Sequence, residues 1–385
     1  MPTDKRFDDF PPRVKTPSEA PFKWPLRRSR ALALVGLFIL YLIFHASRKQ
    51  LVSPNTCNPD GADWSRYAYS LYATESATVC HAVLVFDALE RLGSRADRVL
   101  FYPEYWDTVV ESAIDRDSQL LVLARDKYRV KLHATKVLSV QGIRTPSAPK
   151  QTWDDSVTKF LAFGLTKYHR VLHLDSDITL LQHLDELFFL PPTLIAMPRA
   201  YWSDFKPWPL TSLLMLLEPN TQELEGFKTS IKAGAEADVV TSKKYDMDLL
   251  NDRFSDSALV LPHRPYALLT GEFRSHNHSA YLGNNREEWD PDRILKEAKL
   301  VHFSDWPLPK PWIMWPSEGL AQMQPDCGGK KEGTCRERVI WKDLYDDFRQ
   351  RRRDICKLLS VPAPDWASLT GKGKAVHNIT SAAVP

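Results

Sequence analysis

The sequence lacks the motifs that mark several large functional classes. It has no C-x-x-C pair, which argues against a zinc site built from cysteines. It has no G-x-G-x-x-G fingerprint, and the glycine-rich stretch 328–334 (GGKKEGT) lacks the lysine that follows the second glycine of a phosphate loop. No internal repeat is visible, and a formal net charge of only +3 predicts no nucleic-acid partner.

One long run without charge stands near the N-terminus. Residues 31–47 (ALALVGLFILYLIFHAS) would span roughly 25 Å as a helix, which is the short end of a bilayer crossing. A signal peptide usually has a shorter apolar region followed by a small-residue cleavage site, and a core helix would carry a polar face. We therefore interpret the run as a membrane anchor, with a signal peptide and a buried helix as the alternatives.

Basic residues are distributed unevenly around this run. Eight lysine and arginine residues precede it, whereas only Arg48 and Lys49 follow closely. The positive-inside rule then predicts a single-pass type II membrane protein. Residues 1–30 would be a cytosolic tail, residues 48–66 a stem, and everything further on would lie in the lumen of the secretory pathway.

The cysteines and sequons are compatible with that compartment. Cys327 and Cys335 flank the glycine-rich stretch and could close a small disulfide loop in an oxidising lumen. The triplets that begin at Asn277 and Asn378 have the N-glycosylation pattern. Such triplets are common by chance, so the orientation depends mainly on the charge asymmetry.

Apolar runs and helical periodicities alternate from Tyr67 onwards. The runs of strand length are 67–73, 98–102, 119–124 and 169–174, and the helical segments are 80–92 and 154–168. This alternation predicts an α/β fold with a Rossmann-like, mixed but mostly parallel sheet that helices cover on both faces. We assign a catalytic domain to residues 67–320, and a C-terminal extension with a flexible tail to residues 321–385.

A pair of aspartates follows one of these strands directly. The segment 171–181 (VLHLDSDITLL) carries Asp175 and Asp177 after its apolar residues. Ligands of parallel α/β sheets bind beyond the carboxyl ends of the strands, and two carboxylates there suit a hard divalent cation that bridges to a diphosphate.

The same pair also allows a different enzyme. A haloacid-dehalogenase-type phosphatase begins with an apolar strand and D-x-D-x-T, which Asp175, Asp177 and Thr179 match, and Asp175 would then be the nucleophile. That motif normally opens its domain, whereas a long stretch of apparent α/β fold comes first here.

A downstream segment, 300–312 (LVHFSDWPLPKPW), separates the two alternatives. The imidazole of His302 can complete a metal site that two carboxylates begin. Lys310 can balance the charge of a diphosphate as a point charge. A single histidine is more often structural, so this assignment depends on the two segments together.

Together the segments resemble glycosyltransferase family 8, the retaining transferases that include glycogenin. The resemblance spans residues 67–316 and implies a GT-A type fold and a UDP-sugar co-substrate. It also implies Mn²⁺, or another divalent cation, bound by Asp175, Asp177 and His302. This chain departs from the family pattern H-F-x-G-x-x-K-P-W at Asp305, which replaces the glycine, and its lysine lies two residues further from the histidine.

The resemblance also implies roles in the donor site. Lys159 matches a donor-site lysine, and segment 246–251 (DMDLLN) resembles D-Q-x-L-L-N, with Met247 in place of the glutamine. Asp246 or Asp248 would position the donor sugar, and these two residues with Lys159 form the implied catalytic group. The implied nucleotide-binding residues are Tyr69, Leu71, Ala73, Thr74, Lys159, Asp175, Ser176 and Lys310.

The stretch 256–274 (DSALVLPHRPYALLTGEFR) is similar to a fungal Golgi branch of this family, the glucose N-acetyltransferases. This implies UDP-GlcNAc as the donor, a mannose-containing glycan as the acceptor, and a Golgi membrane location with the catalytic domain in the lumen. A transferase of glucose or galactose, the phosphatase and a non-catalytic lumenal scaffold are the alternatives. No residue is an obvious nucleophile, so we expect the acceptor to attack on the same face as the departing diphosphate.

Overall fold

The computed structural model describes residues 61–141, 153–236, 243–304, 310–328, 334–358 and 361–362. The predicted cytosolic tail and membrane anchor, most of the stem, Asp305, the sequon at Asn378 and the predicted flexible tail lie outside the described residues. Within the described part of the chain, no helix has both the length and the apolar character of a membrane-spanning segment. The chain divides between Ala62 and Asp63, and the fold described below belongs to the unit that starts at Asp63.

A mixed sheet forms the centre of this unit. The strands are β1 (Tyr67–Tyr72), β2 (Asp97–Pro103), β3 (Val130–Thr135), β4 (Arg170–Leu174), β5 (Ile178–Leu180), β6 (Ile195–Pro198), β7 (Leu214–Leu217), β8 (Leu259–Leu261), β9 (Leu268–Leu269), β10 (Leu300–His302), β11 (Ile313–Met314) and β12 (Val361–Pro362). The central sheet has the order β3-β2-β1-β4-β7-β6-β8, and only β7 runs antiparallel to its neighbours in it. The prediction of a mostly parallel sheet is therefore confirmed.

Helices connect the strands. The α-helices of the described residues are α1 (Ser76–Arg91), α2 (Arg116–Tyr128), α3 (Thr221–Glu236), α4 (Asp246–Phe254), α5 (His263–Tyr266), α6 (Ser279–Leu282), α7 (Pro291–Glu297), α8 (Ser317–Met323) and α9 (Arg336–Cys356). The predicted helix 80–92 corresponds to α1, which ends just before Gly93, a glycine with φ +78°. The predicted helix 154–168 is instead a 3-10 helix over Ser156–Gly164.

The expected strand over residues 119–124 is wrong, because these residues belong to α2. The side chain of Asp115 accepts a hydrogen bond from the backbone N–H of Ser118 at 3.2 Å and caps the helix. The buried residues then recur at helical spacing: Leu120, Leu121, Ala124 and Tyr128. A short apolar run does not distinguish a strand from a helix segment, and the capping aspartate was the signal that should have decided it.

Alternate residues of the strands pack on opposite faces of the sheet. Tyr69 and Leu172 belong to a core layer that includes buried residues of α1, α2 and α9. Ala68 and Val171 belong to a second layer, with the 3-10 helix over Ser156–Gly164 and with α3 and α4. The sheet is thus covered on both faces, which leaves its carboxyl edge available for a site.

A long C-terminal helix, α9, was not predicted from the sequence. Its buried residues join the core layer of α1, and a disulfide links Cys80 of α1 to Cys356 at the end of α9, 276 residues apart. The guanidinium of Arg351 also pairs with the carboxylate of Asp87 on α1. The predicted pairing of Cys327 with Cys335 is confirmed.

Candidate active site

The predicted metal ligands lie together at the carboxyl edge of the sheet. Asp175 and Asp177 follow β4, and Ile178 begins β5. His302 ends β10, which pairs antiparallel with β5 so that His302 lies opposite Ile178. The backbone N–H of Phe303 donates to the carbonyl of Asp177 at 2.9 Å. A short antiparallel ladder therefore joins two segments that are far apart in the sequence.

The three side chains are close enough to share one divalent cation. His302 Nε2 is 3.2 Å from Asp177 Oδ1, and one possible ligand atom from each of Asp175, Asp177 and His302 lies within 4.8 Å of the other two. All three residues are partly exposed. Carboxylates are ligands that Mg²⁺ and Mn²⁺ prefer, and an imidazole is compatible with first-row metals. The structure brings the predicted ligands together, and their role in metal binding stays a prediction.

Lys310 approaches this group from the side of His302. Its Nζ is 3.0 Å from Asp177 Oδ2 and also donates to the carbonyl oxygen of Phe303. The ammonium lies 5.6 Å from the centre of the Trp312 ring, within cation–π range. The lysine predicted to balance a diphosphate is therefore next to the predicted metal ligands.

Lys159 occupies the other side of the aspartate pair and is almost fully buried, with 2% of the residue exposed. Its Nζ lies 2.8 Å from Asp175 Oδ1 and 2.6 Å from Asp246 Oδ2, and it donates to Ser212 Oγ at 3.0 Å. Burial alone would lower the pKa of Lys159, but the two carboxylates raise it above its usual value. The lysine therefore stays charged between two buried acids.

Residues 175–177 form a turn with the sequence Asp-Ser-Asp, which we call the D-S-D turn. Its two aspartates have opposite electrostatic environments. Burial raises the pKa of Asp175, and this outweighs the opposing effect of Lys159. Burial would also raise the pKa of Asp177, but His302 and Lys310 hold it well below its usual range. Asp175 therefore takes up a proton more readily than Asp177 does.

The structure separates the two candidates on α4. Asp246 begins the helix, pairs with Lys159 and accepts a hydrogen bond from the hydroxyl of Ser212. Burial would raise the pKa of Asp246, but Lys159 lowers it to about 2. Asp248 instead accepts the backbone N–H of Tyr245 at 3.0 Å and caps its own helix. This use of its carboxylate at the helix terminus favours Asp246 over Asp248 for the predicted role at the donor sugar, which stays a prediction for both residues.

A cleft of about 290 Å³ opens beside the aspartate pair. Thr74 and Ser176, two of the predicted nucleotide-binding residues, line it. Tyr72 and Glu75 also line it and belong to segment 69–75 (YSLYATE), which resembles a first strand and nucleotide-binding loop. The remaining lining residues were not predicted: Thr78, Asp155 and Ser156. The cleft thus combines the end of β1, the start of α1 and the segment that carries Lys159, as expected of a nucleotide site at this edge.

Three residues of β1 and the loop after it do not reach the cleft. Tyr69, Leu71 and Ala73 are buried in the core layer of α1. The hydroxyl of Tyr69 donates to Asp185 Oδ1 at 2.7 Å, so its polar end is also used inside the protein. Their side chains therefore do not line the cleft, because side chains of a strand alternate and Tyr72 and Thr74 point to the other face. The part of these three residues in nucleotide binding stays a prediction.

A polar group beneath the cleft, formed by Tyr72 with the buried His173 and Ser70, was not predicted from the sequence. The Tyr72 ring is stacked on the His173 ring, with centroids 5.9 Å apart, and Ser70 Oγ lies 2.9 Å from His173 Nδ1. Burial lowers the pKa of His173 well below its usual value. The imidazole is thus neutral and supports one wall of the cleft. A histidine inside the apolar strand before the aspartates was the only available signal.

Comparisons with known proteins give close relatives. Glucose N-acetyltransferase 1 of Aspergillus fumigatus is 49% identical over 366 residues, which cover 92% of this chain and 93% of that protein. Glucose N-acetyltransferase 1 of Gibberella zeae is 44% identical over 308 residues, which cover 79% of this chain and 65% of that protein. No family model matches. The glycosyltransferase GlyE of Streptococcus pneumoniae is a loose structural likeness, with TM-score 0.45 and 15% identity over 76% of this chain and 64% of that one.

Proposed function

The chain belongs to the glucose N-acetyltransferase 1 family, and from this premise we propose that it is a metal-dependent glycosyltransferase. It transfers N-acetylglucosamine from a UDP-sugar to a mannose-containing glycan. The observation that carries the proposal is the convergence of Asp175, Asp177 and His302 beside the cleft that contains Thr74 and Ser176.

The site fits a divalent cation in chemistry and in charge. The site contains two ammonium groups (Lys159 and Lys310) and three carboxylates (Asp175, Asp177 and Asp246). Its net charge is therefore one negative when the imidazole of His302 is neutral, as a metal ligand has to be. Manganese is the metal that the family 8 resemblance implies. Bound there, the cation would stabilise the negative charge that develops on the departing diphosphate.

The chain's own residues divide the work of binding. Lys310 already contacts Asp177 and would contribute its charge to a diphosphate bound next to it. Lys159 and Asp246 form a fixed pair at the opposite side, where they would orient the donor sugar. The cleft residues Thr74 and Ser176 would receive the nucleoside.

The state of Asp246 favours attack by the acceptor on the same face as the departing diphosphate. A covalent route would need a free carboxylate near the sugar. Asp246 is held by Lys159 and Ser212, and its pKa of about 2 makes it a weak nucleophile. Same-face attack would retain the anomeric configuration, which is also what the family 8 resemblance implies.

We also propose that the chain is a single-pass type II protein of the Golgi membrane, with residues 67–320 as the lumenal catalytic domain. The uncharged run 31–47 with its preceding basic residues supports this topology. The two disulfides, Cys80–Cys356 and Cys327–Cys335, fit an oxidising compartment.

An assay of UDP release tests the activity. The purified chain from residue 61 onwards, stripped of metal, should release UDP from UDP-GlcNAc only after manganese is added. UDP-glucose and UDP-galactose should be poorer donors, and a simple phosphoester should not be hydrolysed. Phosphoester hydrolysis without UDP release, with or without metal, would contradict the proposal, whereas a preference for UDP-glucose would correct the donor alone.

Topology is tested separately in sealed Golgi vesicles. The catalytic domain should resist added protease until detergent is present, and the N-terminal tail should be digested in both conditions. Asn277 is exposed, so a lumenal domain should also shift in mobility when N-glycans are removed. Full digestion without detergent would refute the predicted orientation.

A further inference from the structure

A loop with exposed aromatic residues rises from the same edge of the sheet as the site. Residues 199–213 connect β6 to β7, and we call them the β6–β7 loop. β6 runs in the same sense as β4, whereas β7 is antiparallel to both and its Leu214 lies opposite Leu174. The loop therefore begins and ends where Asp175 begins the D-S-D turn, and the backbone N–H of Asp175 donates to the carbonyl of Leu213.

The base of the β6–β7 loop is fixed relative to the candidate donor site. The backbone N–H of Ala200 donates to Pro209 at 2.8 Å. The side-chain amide of Asn251, on α4, holds both polar groups of the Leu210 backbone, at 2.8 and 2.9 Å. Ser212, just beyond, contacts Lys159. The loop thus moves as one body with the helix that presents Asp246.

The tip of the loop carries three aromatic residues, of which Trp202 and Trp208 pack partly against the core and Phe205 is exposed. Tyr201 is buried and anchors the start of the tip, with its ring 5.1 Å from that of Trp202. Trp202 and Trp208 are partly exposed, and Phe205 is 72% exposed. Exposing a large aromatic ring carries a cost in free energy, and aromatic surface is a common lining of ligand sites.

The position of the β6–β7 loop favours the acceptor sugar, and not the donor, as its ligand. In the sheet order, the cleft residues lie at β1 and β4, whereas the β6–β7 loop lies beyond them at β7, and its Ser212 contacts both Lys159 and Asp246. A donor with its nucleoside in the cleft would have its sugar near that pair. A second sugar must then approach from the side of the loop. The apolar C–H faces of sugar rings pack on aromatic rings.

Resting on the proposed function, we propose that the tip of the β6–β7 loop binds the acceptor glycan, and that Phe205 stacks on one of its sugar rings. Phe205 is then a determinant of acceptor affinity and of no other step. A second exposed aromatic residue offers a matched control. Tyr105 is 60% exposed in the loop that follows β2, at the same edge but on the far side of β1 from β4.

Transfer to soluble α-mannan oligosaccharides tests this inference, with UDP-GlcNAc and manganese saturating. Phe205→Ala should raise the KM for the oligosaccharide by about 3- to 10-fold, as expected for one lost aromatic contact, without a matching change in the KM for UDP-GlcNAc. Phe205→Tyr should restore the wild-type KM, Phe205→Leu should not, and Tyr105→Ala should have no effect.

The outcomes separate this inference from the proposed function. An unchanged oligosaccharide KM in Phe205→Ala, or an equal loss in Tyr105→Ala, would overturn the role of the loop. UDP release by the wild type that mannan oligosaccharides do not stimulate would also overturn it, while the transferase assignment stands. Absence of any UDP release from the wild type would instead refute the proposed function.

Discussion

The two sides of the D-S-D turn use the same charges in different ways. On one side, Asp175 meets Lys159, which is 2% exposed and also contacts Asp246. On the other side, Asp177 meets Lys310 and His302, and its side chain is 27% exposed. We call the first group the closed side, because protein encloses its lysine. We call the second group the open side, because Asp177 is exposed enough to exchange partners with a ligand.

This difference assigns different tasks to two similar lysines. The contacts of Lys159 with Asp175 and Asp246 offset the free-energy cost of burying its ammonium. Removal of this lysine would leave the two carboxylates without a counter-charge. Lys310 is itself only 9% exposed, but it contacts one carboxylate and not two, and it lies beside the more exposed Asp177, where a diphosphate could bind. We therefore expect the Lys159 side to support the fold and the donor sugar, and the Lys310 side to contact the diphosphate.

The largest expected effect is on stability. Lys159→Met should lower the free energy of unfolding by about 3–5 kcal/mol, because it leaves Asp175 and Asp246 facing each other without a counter-charge. Lys310→Met should cost less, about 1.5–3 kcal/mol, because Asp177 keeps His302 and is partly exposed to solvent. Urea unfolding of the two variants measures both. Equal losses of unfolding free energy in the two variants would contradict the proposed difference between the Lys159 side and the Lys310 side.

The next largest effect is on turnover. It tests whether Asp175 on one side and Asp177 on the other bind the same metal ion. Asp175→Asn and Asp177→Asn should each reduce UDP release by at least ~100-fold, since each removes a ligand of the same ion. The double variant should lose less than the product of the single losses. Asp248→Asn is the matched control, because Asp248 caps α4 and should leave turnover within about twofold. A loss in Asp248→Asn as large as in the other two would contradict our assignment of the site.

The sequence predicted the open side better than the closed side. Asp177, His302 and Lys310 belong to two compact segments, and the carboxyl-edge rule for parallel sheets places the first of them. On the closed side, Lys159 and Asp246 were named only through the family resemblance. The β5–β10 ladder then brings the second segment to it. Motifs of a few adjacent residues after an apolar strand contain enough information to find such a site.

The closed side depends on contacts that no local pattern indicates. Ser212 reaches Lys159 from a loop 53 residues away, and Cys356 joins Cys80 across 276 residues. The side chain of Tyr69 lies on the core face of β1, which the resemblance of segment 69–75 did not indicate. Segments that pack together over long separations are set by the whole core, whereas the periodicity of each element is set locally.

A pH series sharpens the comparison at the closed side. The pKa of Asp246 is lowered to about 2 from an ordinary value of 3.8. A lowered carboxyl pKa contributes stability that is present above pH 3.8 and is lost as the pH falls towards 2. Asp246→Asn should therefore weaken the acid-induced loss of stability by about 2 kcal/mol over this range. Unfolding in urea at pH 5, 4, 3 and 2 measures it, and identical slopes for wild type and variant would contradict the Lys159–Asp246 pairing.

The smallest expected effect separates the two residues of the open side from each other. His302→Ala should raise the manganese concentration needed for half-maximal UDP release by about tenfold and leave the fold intact, because it removes a ligand and not a buried charge. Lys310→Ala should instead weaken UDP binding by about tenfold while the manganese requirement stays near that of the wild type, because a point charge beside the diphosphate is lost. UDP titrations at several manganese concentrations distinguish the two. If His302→Ala keeps wild-type activity and metal affinity, Asp177 is held by Lys310 alone and the open side is not the metal site.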